Sequence, residues 1–319
     1  MYDLNKNQII DLFKFGEVAS VIKKAYIASA TGQVQTGEVV HLSFPEANGD
    51  CHVKSGHIQG TESYVIKIAS GFYSNPSKGL PSSNGMMLAF SSKTGEPLAI
   101  LRDEGWLTDM RTGIGGAIAT KALAKVTAKN VLIIGSGIQA RFQAKCLALL
   151  MPDREFNFRV WGRNVETVKG AVDELRKQNL NAEQVVSLES DISNADIIYT
   201  TTPSTAPLFN DSLVKPGAHV TAIGADSPGK QELPISLIHS ASLLVCDMVK
   251  QSLNHGEFQI IGDSNLSNQV IELGIVLSDS SAGRRSDDDI TIADLTGIAA
   301  QDIAITQAII DEASSSKNI

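Results

Sequence analysis

The sequence predicts an α/β protein in which a doubly wound parallel Rossmann sheet is joined to an N-terminal, mainly antiparallel α+β domain. Three observations carry that prediction. From Lys129 onward apolar strand-like runs alternate with helical stretches, the rhythm of a parallel sheet with right-handed crossovers. Between Val39 and Leu101 short β-rich runs are separated by turn-rich stretches instead. The segment VLIIGSGIQA sets a Gly-x-Gly-x-x-Ala pattern between a strand and a helix. At roughly 150 residues per domain, 319 residues make about two domains. We place the first at 1–117, rejoined by a last helix at 298–319, and the Rossmann part at 118–297. A hydrophobic content of 43% against 19% charged residues excludes a disordered or fibrous chain. The excess of 35 Asp+Glu over 27 Lys+Arg gives a net charge of −8 and argues against nucleic-acid binding.

In chain order, Asn7 to Ala30 carries Ile9, Ile10, Leu12, Phe13, Val18, Val21, Ile22, Ala25 and Tyr26 at helical spacing, which predicts one amphipathic helix. Strands follow at Val39–Phe44, Tyr64–Ala69, Gly85–Phe90 and Pro97–Leu101, with turns at Pro45–Asp50 and Ser70–Pro81. Arg111–Ala124 reads as a helix despite Gly113, Gly115 and Gly116, which point to a close backbone approach. Parallel strands are expected at 131–135, 158–162, 196–202, 219–224 and 243–247, with helices at Ile138–Leu150, Val165–Gln178 and Ile298–Ala313.

The glycine turn is a dinucleotide signature. Gly135 allows the tight turn, Gly137 lets backbone N–H groups approach a pyrophosphate, and Ala140 is small enough for helix–strand packing. Ile138 and Gln139 open the helix and belong to the same cofactor set. The second strand ends Trp161-Gly162-Arg163-Asn164, and no acid for a ribose 2′-hydroxyl appears until Glu166. Arg163, with Asn164 beside it, is therefore expected to meet a 2′-phosphate, which favours NADPH over NADH; the alternative is a solvated arginine lying over the adenine.

Cys51, Cys146 and Cys246 are scattered, odd in number and unlike a disulfide framework. Six histidines, at 41, 52, 57, 219, 239 and 255, show no HxxxH or HExxH spacing, so no metal site is expected. The first residues, MYDLNKNQII, lack the apolar core of a signal peptide, and no run approaches about 18 apolar residues; a cytoplasmic protein that does not meet a membrane is expected.

Stretches throughout the chain resemble the ornithine cyclodeaminase/mu-crystallin family. They are YVIKIASGF (64–72), KGLPSSNGMMLAF (78–90), TGEPLAIL (94–101), LTDMRTGIGGAIATKALA (107–124), GSGIQA (135–140), TTTPS (200–204), VKPGAHVTAIGADSPGKQEL (214–233) and DITIADLTGIAAQDIA (289–304). The resemblance implies a homodimer built on the N-terminal domain and chemistry on the amino or imino group of a small α-amino acid. It makes Lys67 the active-site lysine and Arg111 the holder of the substrate carboxylate. It also makes Asp226 an acid/base, and Thr112 and Lys230 cofactor contacts, with Thr202 and Pro203 against the nicotinamide ribose. Two positions depart from the family. Where a second carboxylate-binding arginine often stands, GDCHVKSGH offers His52 or Lys54, and a serine near the last helix is Leu295 here.

The residues argue in the same direction. A carboxylate beside a C=N bond needs a fixed cation, which the planar guanidinium of Arg111 supplies. It also needs a proton source, which Lys67 between Ile66 and Ile68 supplies if burial lowers its pKa. Asp226 stands on a Gly/Pro-rich loop after a strand, where open α/β sheets bind ligands. Each has a plainer reading: a snorkelling sheet lysine, a helix-start arginine, an Asx turn. The leading expectation is NADPH-dependent reduction of a cyclic imino acid of the Δ1-pyrroline-2-carboxylate type to L-proline. The alternatives are ornithine cyclodeamination with bound NAD, alanine-dehydrogenase-type chemistry, and, from another class, a silent small-ligand carrier.

Overall fold

The computed structural model describes residues 1–316, so the last three residues of the expected 298–319 helix lie outside the described residues. The chain divides into two compact units, Met1–Arg111 with the residues from Ile298 on, and Thr112–Gly297. The division falls inside a helix, at 111/112 rather than 117/118.

The first unit opens with β1 (Tyr2–Asn5), α1 (Lys6–Leu12) and α2 (Phe15–Ala30). Then come β2 (Val34–Thr36), β3 (Val40–Phe44), β4 (Gly49–Ile58), β5 (Ser63–Phe72), β6 (Ser83–Ser91) and β7 (Pro97–Arg102). Helix α3 (Trp106–Leu123) crosses the division. The second unit continues with β8 (Asn130–Ile134), α4 (Ile138–Leu150), β9 (Asn157–Trp161), α5 (Val165–Lys177), β10 (Asn181–Gln184) and α6 (Leu188–Asn194). Strands β11 (Ile197–Thr200) and β12 (His219–Ala222), α7 (Ile235–Ser240), β13 (Leu243–Cys246) and α8 (Val249–His255) follow. It closes with β14 (Ile271–Glu272), α9 (Leu273–Ser278) and β15 (Thr291–Asp294), before α10 (Ala299–Ser315) returns to the first unit.

The first sheet has the order β1-β7-β6-β5-β4-β2, with β3 paired to β4, and only the β1–β7 pair is parallel. One face is covered by α10. A Cβ on Gly56 of β4 would stand 3.1 Å from Ile303, and Thr306 lies 2.8 Å from Met87 of β6. The opposite face carries Leu42, Phe44, Ile66, Ile68, Phe72 and Met86, with Phe44 stacked on Phe72.

Three expectations need correction here. The predicted helix from Asn7 to Ala30 is two helices, because Phe13 and Lys14 turn extended. Phe13 meets Trp106 edge-on and Lys14 pairs with Glu312 at 2.7 Å, so tertiary anchors override helix propensity. Strand β4 was not foreseen, since Gly49–Ile58 is poor in β-formers, and its pairing with β5 on one side and β3 and β2 on the other decides its conformation. Helix α3 starts five positions early, where the Asp103 carboxylate accepts the Leu107 amide at 2.8 Å. Its glycines serve a helix contact: a Cβ on Gly113 would stand 2.8 Å from Cys146 Sγ of α4, and one on Gly116 would overlap Gln143.

The second sheet is the predicted doubly wound one, all parallel in the order β10-β9-β8-β11-β12-β15-β13-β14. From β8 the chain winds outward to β9 and β10, then returns to β11 on β8's other side. The carboxyl ends of β8 and β11 thus form the switch point where such sheets bind ligands. Leu132, Ile198, Val220 and Ile292 fill the interior beneath it. Among the described residues no helix is long and apolar enough to cross a membrane.

Candidate functional site

Two clusters stand out, one in each unit. In the first, the antiparallel register sets Lys54 of β4 directly opposite Lys67 of β5, and both side chains point to the face covered by α10. Asp302 comes from the first turn of α10. Its Oδ2 lies 2.9 Å from Lys67 Nζ and its Oδ1 3.0 Å from Arg111 Nε. Gln301 donates to the Arg111 carbonyl at 3.0 Å, and Arg111 Nη1 reaches Gln301 Oε1 at 3.4 Å. Lys67, Asp302 and Arg111 are almost fully buried, at 2%, 1% and 6% exposure.

The charges shape one another. Burial, then the neighbouring guanidinium of Arg111, pull the Lys67 ammonium down from 10.5 to about 7, against the opposing pull of Asp302. Burial resists ionisation of Asp302, yet Lys67 and Arg111 outweigh it and hold the carboxyl below 3.8. Arg111 Nε and both Asp302 oxygens are close enough for ion pairing but make no well-angled hydrogen bond, so each keeps hydrogen-bonding capacity. Asp103, which starts α3, is pushed up to about 6 chiefly by burial, against the bond from the Leu107 amide. Such a site can receive a carboxylate on Arg111 and Lys54 and exchange a proton at Lys67 near neutrality.

The second cluster lies at the switch point. A cavity of about 510 Å³ is lined by the glycine turn, the ends of β9 and β11, and the loop beyond β11. Gly135 has φ +130°, and a Cβ there would stand 2.2 Å from Thr201 Oγ1, so the turn admits only glycine. Gly137 caps α4 with no side chain, and a Cβ there would meet nothing within 4 Å. The start of α4 is thus open at Gly137, where a pyrophosphate can approach the backbone. The residues present fit a dinucleotide.

Of the expected cofactor residues, Gly135, Gly137, Arg163, Asn164, Thr202 and Pro203 line this cavity. Asn164 also caps α5 by accepting the Thr167 amide, and Arg163 is exposed. Ile138 is exposed, while Gln139 and the Thr112 carbonyl both accept from Gln143 within the second unit. Asp226 and Lys230 share the loop after β12, paired at 2.6 Å. Between the two candidates for a second carboxylate ligand, Lys54 stands in the Lys67 cluster; His52 faces His41 and Asp50 instead.

Sequence reasoning missed Asp302, Gln301, Asp103 and Glu232. Asp302 left a signal: a lone acid in the first turn of a helix whose first half is mainly apolar. Glu232 ties the strand ends together, with Oε1 accepting the Thr202 amide at 2.6 Å and Oε2 the Thr200 hydroxyl and the Gly224 amide.

Known proteins are similar to this chain over nearly its whole length. A Δ1-pyrroline-2-carboxylate reductase of Bacillus cereus is 33% identical, over 97% of this chain and 93% of its own. An archaeal alanine dehydrogenase dimer with bound NAD superposes with a TM-score of 0.89 at 30% identity, covering 100% of this chain and 97% of that one. The iminosuccinate reductase of Paracoccus denitrificans, in complex with NAD+, gives 0.87 at 28% identity, covering 99% and 97%. The ornithine cyclodeaminase/mu-crystallin family profile matches residues 4–317, and the chain belongs to that family.

Proposed function

We propose that the protein is an NAD(P)H-dependent oxidoreductase that reduces a cyclic imino acid of the Δ1-pyrroline-2-carboxylate type to L-proline, with NADPH as the preferred cofactor. The observation that carries this reading is the buried set Lys54, Lys67 and Arg111 around Asp302. Arg111 and Lys54 orient the carboxylate. Lys67, poised near 7, gives the imine nitrogen its proton, which makes the adjacent carbon electrophilic. The bound nicotinamide supplies the hydride. Asp226, on the cofactor-side loop of the second unit, is the second acid/base, and Lys230 tethers it. The reductase relative supports the ring substrate. Arg163 on the cavity wall, with Glu166 the nearest acid beyond β9, supports the phosphorylated cofactor.

A second copy of the chain covers the apolar sheet face, where Val40, Leu42 and Phe44 are 51%, 50% and 42% exposed. Sedimentation should therefore give twice the chain mass, and a monomer at all concentrations would remove that part of the reading.

The deciding experiment is a paired assay: NADPH with Δ1-pyrroline-2-carboxylate, and ornithine with NAD. We expect cofactor oxidation in the first and little ammonia in the second; ammonia release at a comparable rate without net cofactor change makes the protein a cyclodeaminase. In the same assay Arg163→Asp should shift the NADPH/NADH preference by roughly thirty- to a hundredfold, or about 2–3 kcal/mol. A ratio that barely moves makes Arg163 a surface residue.

A further inference from the structure

Two histidines of the first unit, His41 and His52, form with Asp50 a cluster that the imino-acid site does not use. His41 of β3 and His52 of β4 are directly opposed in the antiparallel register, and Asp50 precedes His52 by two residues on the same face. The two rings lie 4.6 Å apart, centroid to centroid, and His52 Nε2 is 3.9 Å from Asp50 Oδ1. One nitrogen from each imidazole and one Asp50 oxygen all fall within 4.8 Å of one another. Tyr73 donates to the other carboxylate oxygen, Oδ2, at 3.2 Å, which turns Oδ1 toward the imidazoles.

We propose that His41, Asp50 and His52 bind one divalent transition cation, of which Zn²⁺ is the best match. Two imidazoles and a carboxylate suit zinc, copper or nickel and are a poor set for magnesium or calcium. Zinc takes nitrogen and oxygen ligands at about 2.0–2.2 Å, so donors around it stand roughly 3.3–3.6 Å apart. The donors, now within 4.8 Å of one another, would draw together around the ion by side-chain rotation. The Tyr73 hydroxyl then holds the ligating carboxylate from behind, as outer-shell partners of metal sites do. Linear spacing gives no hint of the site, because its two histidines meet across a hairpin rather than along a helix.

The ion has a structural task. Strand β3 is exposed along its whole length and, among the described residues, pairs with β4 alone. A cation held by His41 on one strand and by Asp50 and His52 on the other fastens β3 to the sheet, and its binding energy adds to the stability of the folded unit.

The test uses tag-free full-length protein, stripped with chelator and titrated with Zn²⁺ by calorimetry, with melting temperature followed in parallel. Wild type should take one ion per chain and melt higher with zinc. His41→Ala and Asp50→Asn should each weaken binding by about tenfold or more and lose the zinc-dependent rise. Circular dichroism confirms that both variants are folded, and His41→Gln repeats the test with a side chain of similar bulk. Cobalt in place of zinc should give visible absorption bands that His41→Ala abolishes. No zinc uptake by wild type, or uptake unchanged in His41→Ala because other histidines bind it, overturns the proposal.

Discussion

The two units bury charge in opposite ways. In the first, three cations, Lys54, Lys67 and Arg111, surround Asp302, which forms ion pairs with Lys67 and Arg111. In the second, the acids Glu232, Glu257 and Asp294 lie at the carboxyl ends of the strands without a salt-bridged cation. There burial, then the nearby Asp294, push Glu257 up to about 9, and burial pushes Asp294 up to about 8. Hydrogen bonds do the work that cations do elsewhere: Glu257 accepts the Glu232 and Leu233 amides at 2.7 and 2.9 Å, and Asp294 accepts from Ser252. Glu257 and Asp294, held neutral, belong to a scaffold, whereas an ion-paired cluster rich in cations keeps the capacity to bind an anion and move a proton.

The contrast extends to pH. Glu257 has a folded pKa of about 9 against 4.5 unfolded, so the native state holds the extra proton between them. Its contribution to stability is full below 4.5 and is lost as pH rises through 9. Lys67 has a folded pKa of about 7 against 10.5, so there the unfolded chain holds the extra proton. Its contribution is present above 10.5 and is lost as pH falls through 7.

The largest expected effect comes from removing the balancing acid. Asp302→Asn leaves the cations buried without a partner and should cost about 3–5 kcal/mol in urea unfolding. It should also push the Lys67 limb of the kcat/KM profile below 7. A loss under about 1 kcal/mol would mean that the cluster is not balanced by Asp302, and the contrast between the units collapses.

Next in size is Arg111→Ala. Losing a charge-assisted pair to the substrate carboxylate should weaken binding by about 1.5–3 kcal/mol, read as a ten- to hundredfold rise in KM. An unchanged KM in a folded variant assigns the carboxylate to Lys54 alone.

Smallest is Glu257→Gln, which keeps the shape and removes the titration. Between pH 5 and 8 the fall of stability with pH should flatten by up to one proton, about 1.4 kcal/mol per pH unit. The same slope in wild type and variant would show that Glu257 is already ionised and that the scaffold reading of these acids is wrong.

How much of this could be read from the sequence depended on whether local pattern or distant contact decides the structure. The central parallel strands β8, β11 and β12 were legible because each is a run of mostly apolar residues buried on both faces, as Val131–Ile134 shows, whereas β10 and β14 were not. The turn at Gly135 was legible because its chemistry is local. Strand β4 was not, since its partners β5, β3 and β2, not its residues, make it a strand. Lys67 and Arg111 were recognisable by resemblance, but Asp302, far along the chain, became visible only when α10 returned across the sheet. His41 and His52 met only through the hairpin register. Long-range pairing leaves its record in both partners and spells it in neither.

The neutral acids have a consequence for how the folded protein migrates in an electric field. The composition gives an isoelectric point of about 5.3, which counts every carboxyl as though it were in water. Near that pH, Glu257 and Asp294 carry no charge in the folded state, and most of Asp103 carries none. Buried His219, pulled down to about 3 mainly by burial, is neutral there and costs the folded state one positive charge, which is less than the negative charge the acids have lost. The native protein should therefore focus at a higher pH than the denatured chain, and the separation between the two bands counts the protons that the fold retains.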